Sequence, residues 1–82
     1  MTQIELDEAG VVPFSKWQSV ATKNVLVVNN RIFDIQNGEC VELKIIDLKN
    51  EKLDSLNPSD FMRWITNKNL IRYGNENTRR SN

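Results

Sequence analysis

The sequence has no histidine and a single cysteine, Cys40, among its 82 residues. Without histidine the chain lacks the commonest general base and the commonest metal ligand. One thiol builds neither an internal disulfide nor a zinc cluster, so no metal is expected and a reducing, cytoplasmic setting is. Cys40 has no histidine to activate it and reads as a structural thiol. Glycine occurs only at Gly10, Gly38 and Gly74, spaced too widely for a phosphate-binding loop. There is no run of roughly eighteen apolar residues and no basic-then-apolar leader, so neither a membrane span nor a signal peptide is predicted. Net charge is missing as well: eleven basic residues balance eleven acidic ones, and no global field steers the chain to a polyanion or a membrane. The carboxylates of Glu5, Asp7 and Glu8 fall in what reads as an arm without the fixed geometry that acid–base work needs. The sequence predicts no catalysis, no cofactor and no small-molecule ligand.

What is present is largely β-forming. Residues 24–48 read Asn-Val-Leu-Val-Val, Asn-Asn, Arg-Ile-Phe-Asp-Ile, Gln-Asn-Gly-Glu, Cys-Val-Glu-Leu-Lys-Ile-Ile-Asp-Leu. Three β-rich runs are separated by two turn signals, since Asn-Gly tolerates the positive φ angles of a tight hairpin and Asn-Asn does so less well. Strands are predicted near 25–29, 31–35 and 40–47. Turns centred on Asn29-Asn30 and Asn37-Gly38 put Val25, Val27, Ile32, Val41, Leu43 and Ile45 on one face, with only Asp34 polar. That is the predicted core face. The other face mixes Leu26, Val28, Phe33, Ile35, Cys40 and Ile46 with Arg31, Glu42 and Lys44. A slip of one residue would exchange the two.

Helices are predicted on either side. Phe14, Trp17, Val20 and Ala21 recur at helical spacing after Pro13, which gives a helix near 14–23. Asn57, Pro58 and Asp60 form a strong start signal for a second helix near 58–68, with Phe61, Trp64 and Ile65 inward. Residues 1–10 read as an acidic arm or an edge strand, and 49–56 as a loop with some helical character. Residues 70–73 read as a fourth strand or an extended segment, and 75–82 as a disordered polar tail. The predicted fold is α+β: a three-stranded, or four-stranded, antiparallel β-meander packed with two short amphipathic helices, in one small domain over residues 1–74.

A chain this short buries only about 60% of its unfolded surface, so two small helices leave part of the sheet in need of a cover. The leading expectation is a non-catalytic regulatory or adaptor protein that binds a protein partner, or itself, through Leu26, Val28, Phe33 and Ile35. Abundant Asn, Lys and Ile, with AT-rich codons, suit an inhibitor encoded by a phage or mobile element. The alternative is a DNA- or RNA-binding accessory protein. Its basis is the basic end, where Arg63, Lys68, Arg72, Arg79 and Arg80 stand against Glu76 alone.

Overall fold

The computed structural model describes residues 1–74. The predicted tail at 75–82, with Arg79 and Arg80, lies outside the described residues. The first element is a helix, α1 (Gln3–Ala9), where the sequence suggested an arm or a strand. Thr2 and Glu5 form a reciprocal capping box: the Thr2 hydroxyl accepts from the Glu5 amide, and the Glu5 carboxylate accepts from the Thr2 amide at 2.8 Å. Hydrogen bonds from Thr2 hold the Glu5 carboxyl below the usual carboxylate range. Gly10 ends the helix at φ 84°, a left-handed conformation that glycine adopts without cost. A Cβ there would collide with the Arg72 guanidinium, which lies over the Trp17 ring.

Strand β1 (Lys16–Ser19) stands where a helix was predicted. Trp17 is buried while Lys16 is exposed, which is strand alternation, and the indole N–H donates to the Ser15 hydroxyl at 3.1 Å. The Phe14–Trp17 spacing that suggested a helix is coincidental, because Phe14 is 78% exposed and turns away at φ 73°. A left-handed conformation costs a bulky residue about 1–2 kcal/mol, whereas glycine there adds about 0.4–1 kcal/mol of unfolded-chain entropy. Phe14→Gly is therefore expected to leave the melting temperature unchanged or raise it by up to about 5 °C. A thermal scan showing a marked drop would mean that the ring packs on something.

The two central runs are one strand. β2 (Val25–Phe33) continues straight through Asn29-Asn30 and pairs along its length with β3 (Cys40–Asp47). Asn29 is absorbed as a bulge between the Val28–Ile45 and Asn30–Lys44 pairs, and a second irregularity brings Phe33 opposite Cys40. The connecting loop takes residues 34–39, with Asp34 and Glu39 bonded at its base. It is wider than a hairpin centred on Asn37-Gly38, so the register shifts and the faces of β2 and β3 are matched differently. Leu43 and Ile45 are buried as predicted, but they share the core with Leu26, Val28 and Phe33, not with Val25, Val27 and Ile32.

β4 (Lys52–Leu56) pairs with β3 where a loop was predicted, and β5 (Leu70–Arg72) pairs with β1. The sheet has five antiparallel strands in the order β4-β3-β2-β1-β5, which replaces the three- or four-stranded meander with a broader sheet. Helix α2 (Pro58–Thr66) follows the predicted start: the Asn57 side chain accepts from the Ser59 amide at 2.8 Å. It ends at Thr66, two residues short of the predicted 68, and Lys68 takes φ 64° in the turn. Since β4 and β5 are opposite edges, α2 carries the chain across the sheet and covers it. Leu6 of α1 and Phe61 of α2 enter the same core as Val11, Trp17, Val28, Leu43 and Ile45. Both helices therefore lie on one face, and Arg31 at its rim donates to Asp7 at 2.7 Å and to the Val11 carbonyl.

Candidate functional site

The other face of the sheet has no layer over it among the described residues. Cross-strand partners share a face, so the register builds this surface row by row. Leu53 of β4 lies opposite Ile46 of β3, Ile46 opposite Val27 of β2, and Val27 opposite Lys16 of β1. In the next row Val25 lies opposite Gln18, and Gln18 opposite Ile71 of β5. The first row spans β4 to β1 and the second β2 to β5, so together they reach both edges, about 19 Å between the outer strands at the usual spacing. Leu53 and Ile71 are 54% and 47% exposed, and Val25, Val27 and Ile46 are half-buried between them.

Why these residues face outward follows from the two irregularities in the β2–β3 pair. With the register set by the wide 34–39 loop, Leu43 and Ile45 commit Val28 to the helix side. Strand alternation then turns Val25, Val27 and Ile46 to the opposite side.

The polar rim of this face is ordered. Lys44 bridges to Glu42 at 2.6 Å and donates to the Ser55 hydroxyl at 2.8 Å. The Lys44 ammonium, aided by Ser55, holds the Glu42 carboxyl below the ordinary carboxylate range. Its folded pKa is depressed, so the contribution of this pair is present above the unfolded carboxylate pKa and fades as the pH falls through the lower folded value. Lys16, by contrast, is exposed beside the apolar rows and makes no ion pair among the described residues.

The four residues named from the sequence as an interface do not form one surface. Val28 is fully buried, Leu26 and Phe33 pack against the core, and Ile35 is 99% exposed on the loop after β2. The first three are interior because α1 and α2 cover the side of the sheet they point to. The basic residues are placed separately. Arg63 bridges to Asp60 at 3.1 Å, and Lys68 is exposed in the turn after α2. The Arg72 guanidinium is 5.2 Å from the Trp17 ring centre and donates to the Gly10 carbonyl at 3.4 Å.

Elsewhere, a groove of about 510 Å³ is lined by Val20, Ala21, Leu26, Trp64 and Leu70, with Ser19 and Asn69 as its polar members. Its Asn69 carbonyl is already taken by the Val20 amide. Cys40 is buried, with its thiol toward the Glu42 carbonyl at 3.4 Å. No cluster of metal-ligating side chains occurs among the described residues, nor does any helix long and apolar enough to cross a membrane. No protein-family model, curated protein or solved structure matches the chain.

Proposed function

We propose that the chain is a small non-catalytic binding protein whose partner contributes an amphipathic helix to the uncovered face of the sheet. One observation carries this reading: on the side that neither helix covers, apolar side chains stand on four of the five strands (Leu53, Ile46, Val25 with Val27, and Ile71), interrupted on β1 by Lys16 and Gln18. A helix laid there would complete a three-layer arrangement, burying the apolar rows on both of their exposed flanks. Lys16 supplies the polar selectivity. An unpaired ammonium beside an apolar strip favours a partner whose apolar stripe is bordered by a carboxylate. Of the three described basic side chains at that end, Arg63 and Arg72 already have partners within the protein and only Lys68 stands exposed without one among the described residues, which favours the sheet over the basic end as the binding surface.

Ile71 is about half exposed, so Ile71→Asp is expected to leave the fold intact while placing a charge in the contact. With a partner identified by affinity capture and then purified, binding to the Ile71→Asp variant should weaken about 10- to 100-fold, the cost of desolvating an unpaired charge. Lys16→Glu should weaken the same complex and make it less sensitive to salt. Ile4→Asp is the matched control, since Ile4 is 69% exposed on α1. Capture abolished by Ile4→Asp but unchanged by Ile71→Asp and Lys16→Glu would refute the reading, as would failure to capture any protein through this face.

A further inference from the structure

We infer that two copies of this chain pair edge to edge through β4, around a two-fold axis at Leu53. β4 is an outer strand of the sheet, with β3 on one side only, so half of its backbone groups have no strand partner. Residues 51–55 are all exposed. Nothing in β4 breaks pairing: the segment Lys-Leu-Asp-Ser-Leu contains no proline or glycine.

The side chains fit a second copy of the same strand. Natural edges often discourage pairing with charges of one sign, which repel an approaching copy. Here the signs are opposite and symmetrically placed, with Lys52 one residue before Leu53 and Asp54 one residue after it. In an antiparallel pair centred on Leu53, Lys52 of each copy lies opposite Asp54 of the other. Leu53 meets its own counterpart, and Glu51 lies opposite Ser55. Within one chain Lys52 and Asp54 approach only to 3.9 Å and remain 71% and 49% exposed. Both are therefore available to a cross-strand partner at little cost.

The symmetry also closes the assembly. A two-fold contact uses the same patch on both copies, so pairing stops at two and gives one ten-stranded sheet. Both helical layers stay on one side of it, and Leu53, Ile46 and Val27 join the same row of the second copy across the seam. The contact is small compared with a standard interface of about 1,600 Å², so the dimer is expected to be weak and concentration-dependent. This pairing uses the edge rather than the face, and it stands or falls independently of the partner proposed above.

Charge swapping tests it. Sedimentation equilibrium of the full chain should show a monomer–dimer equilibrium. Asp54→Lys alone, or Lys52→Asp alone, sets like charges opposite one another and should weaken the dimer at least about 10-fold. The double variant K52D/D54K restores opposite signs and should recover most of the loss. Both residue changes are on exposed side chains, and matched thermal melts confirm that each variant is folded. Hydrogen exchange supplies a second readout: the β4 amides not bonded to β3 should gain protection as concentration rises. A protein that stays monomeric at every concentration overturns the inference. So does a dimer that survives both single variants, or one that the double variant fails to restore. A dimer lost in Ile71→Asp but kept in Asp54→Lys would show that copies meet through the face, and would overturn it too.

Discussion

Replacing Phe61 by alanine is expected to remove most of the protein's stability. Phe61 is fully buried and is the largest such side chain in the core. Its ring stands edge-on to Trp17, with centroids 6.0 Å apart, and tilted against Trp64 at 6.3 Å. It is thus the contact through which α2 grips the strands. Truncating a buried phenylalanine costs about 3–5 kcal/mol. Typical stabilities of about 0.05–0.15 kcal/mol per residue place a chain of this size near 4–12 kcal/mol, and a small core favours the lower end. The substitution therefore consumes much or all of what is available. Urea unfolding followed by far-ultraviolet circular dichroism should show a midpoint shifted close to zero denaturant. Tryptophan emission should shift to the red, because Trp17 loses its cover. Phe61→Leu keeps most of the volume and should retain a cooperative transition, and Arg63→Ala, on the exposed side of α2, should change little. An alanine variant that unfolds like the parent would mean that α2 does not hold the core.

The residues around α2 explain why this part of the chain was legible beforehand. Asn57, Pro58 and Asp60 act through local chemistry, namely capping, a preset φ and the helix dipole, and none of these depends on distant partners. The α1 capping box is equally local, yet residues 1–10 read as an acidic arm, from Glu5, Asp7 and Glu8, or as an edge strand, because Ile4 and Leu6 alternate with polar residues. The competing signal was Thr2 with Glu5. β1 failed for a different reason. Phe14 and Trp17 are spaced for a helix, but the positive φ at Phe14 takes its ring out of the pattern, and Trp17 instead meets the distant Phe61 ring and the Ser15 hydroxyl. No sequence period encodes that.

The Asn29-Asn30 pair shows how tertiary context overrides turn propensity. A strand edge of eight residues, β3, lies within reach of the whole of β2, and continuous pairing satisfies more backbone groups than a tight turn would. The asparagines are then accommodated by a bulge. Once the register moved, the candidate site moved with it. The sort within β2 was correct, since Leu26, Val28 and Phe33 do oppose Val25, Val27 and Ile32. What the sequence could not specify was which set the helices would cover, because both are apolar. Leu53 and Ile71 were missed because each sits in a strand at the edge of the sheet, short and polar enough to read as a loop or an extended segment.

The face assignment leads to the sharpest expected contrast in the chain, between two adjacent valines. Val28→Asp should unfold the protein, whereas Val27→Asp should leave it folded. Val28 has no exposed surface and is packed between Leu43, Ile45 and the helices in one core. A carboxylate there has no basic partner in the buried set and must either stay charged without solvent or take up a proton. An uncompensated buried charge costs about 3–5 kcal/mol, on top of the lost packing of the valine methyls. Val27 is half-buried on the other face, opposite Ile46 and Lys16. Aspartate there remains in water and has the Lys16 ammonium across the strand pair, so the expected cost is about 1 kcal/mol, chiefly poor strand propensity. Circular dichroism and urea unfolding of the two variants side by side decide the matter. If Val27→Asp unfolds and Val28→Asp does not, the core lies on the opposite face and the binding surface proposed here is the interior. If the order is as expected, the folded Val27→Asp protein also becomes the strongest test of function. It puts a negative charge at the centre of the apolar rows, and it should lose the helical partner while every other feature of the fold is retained.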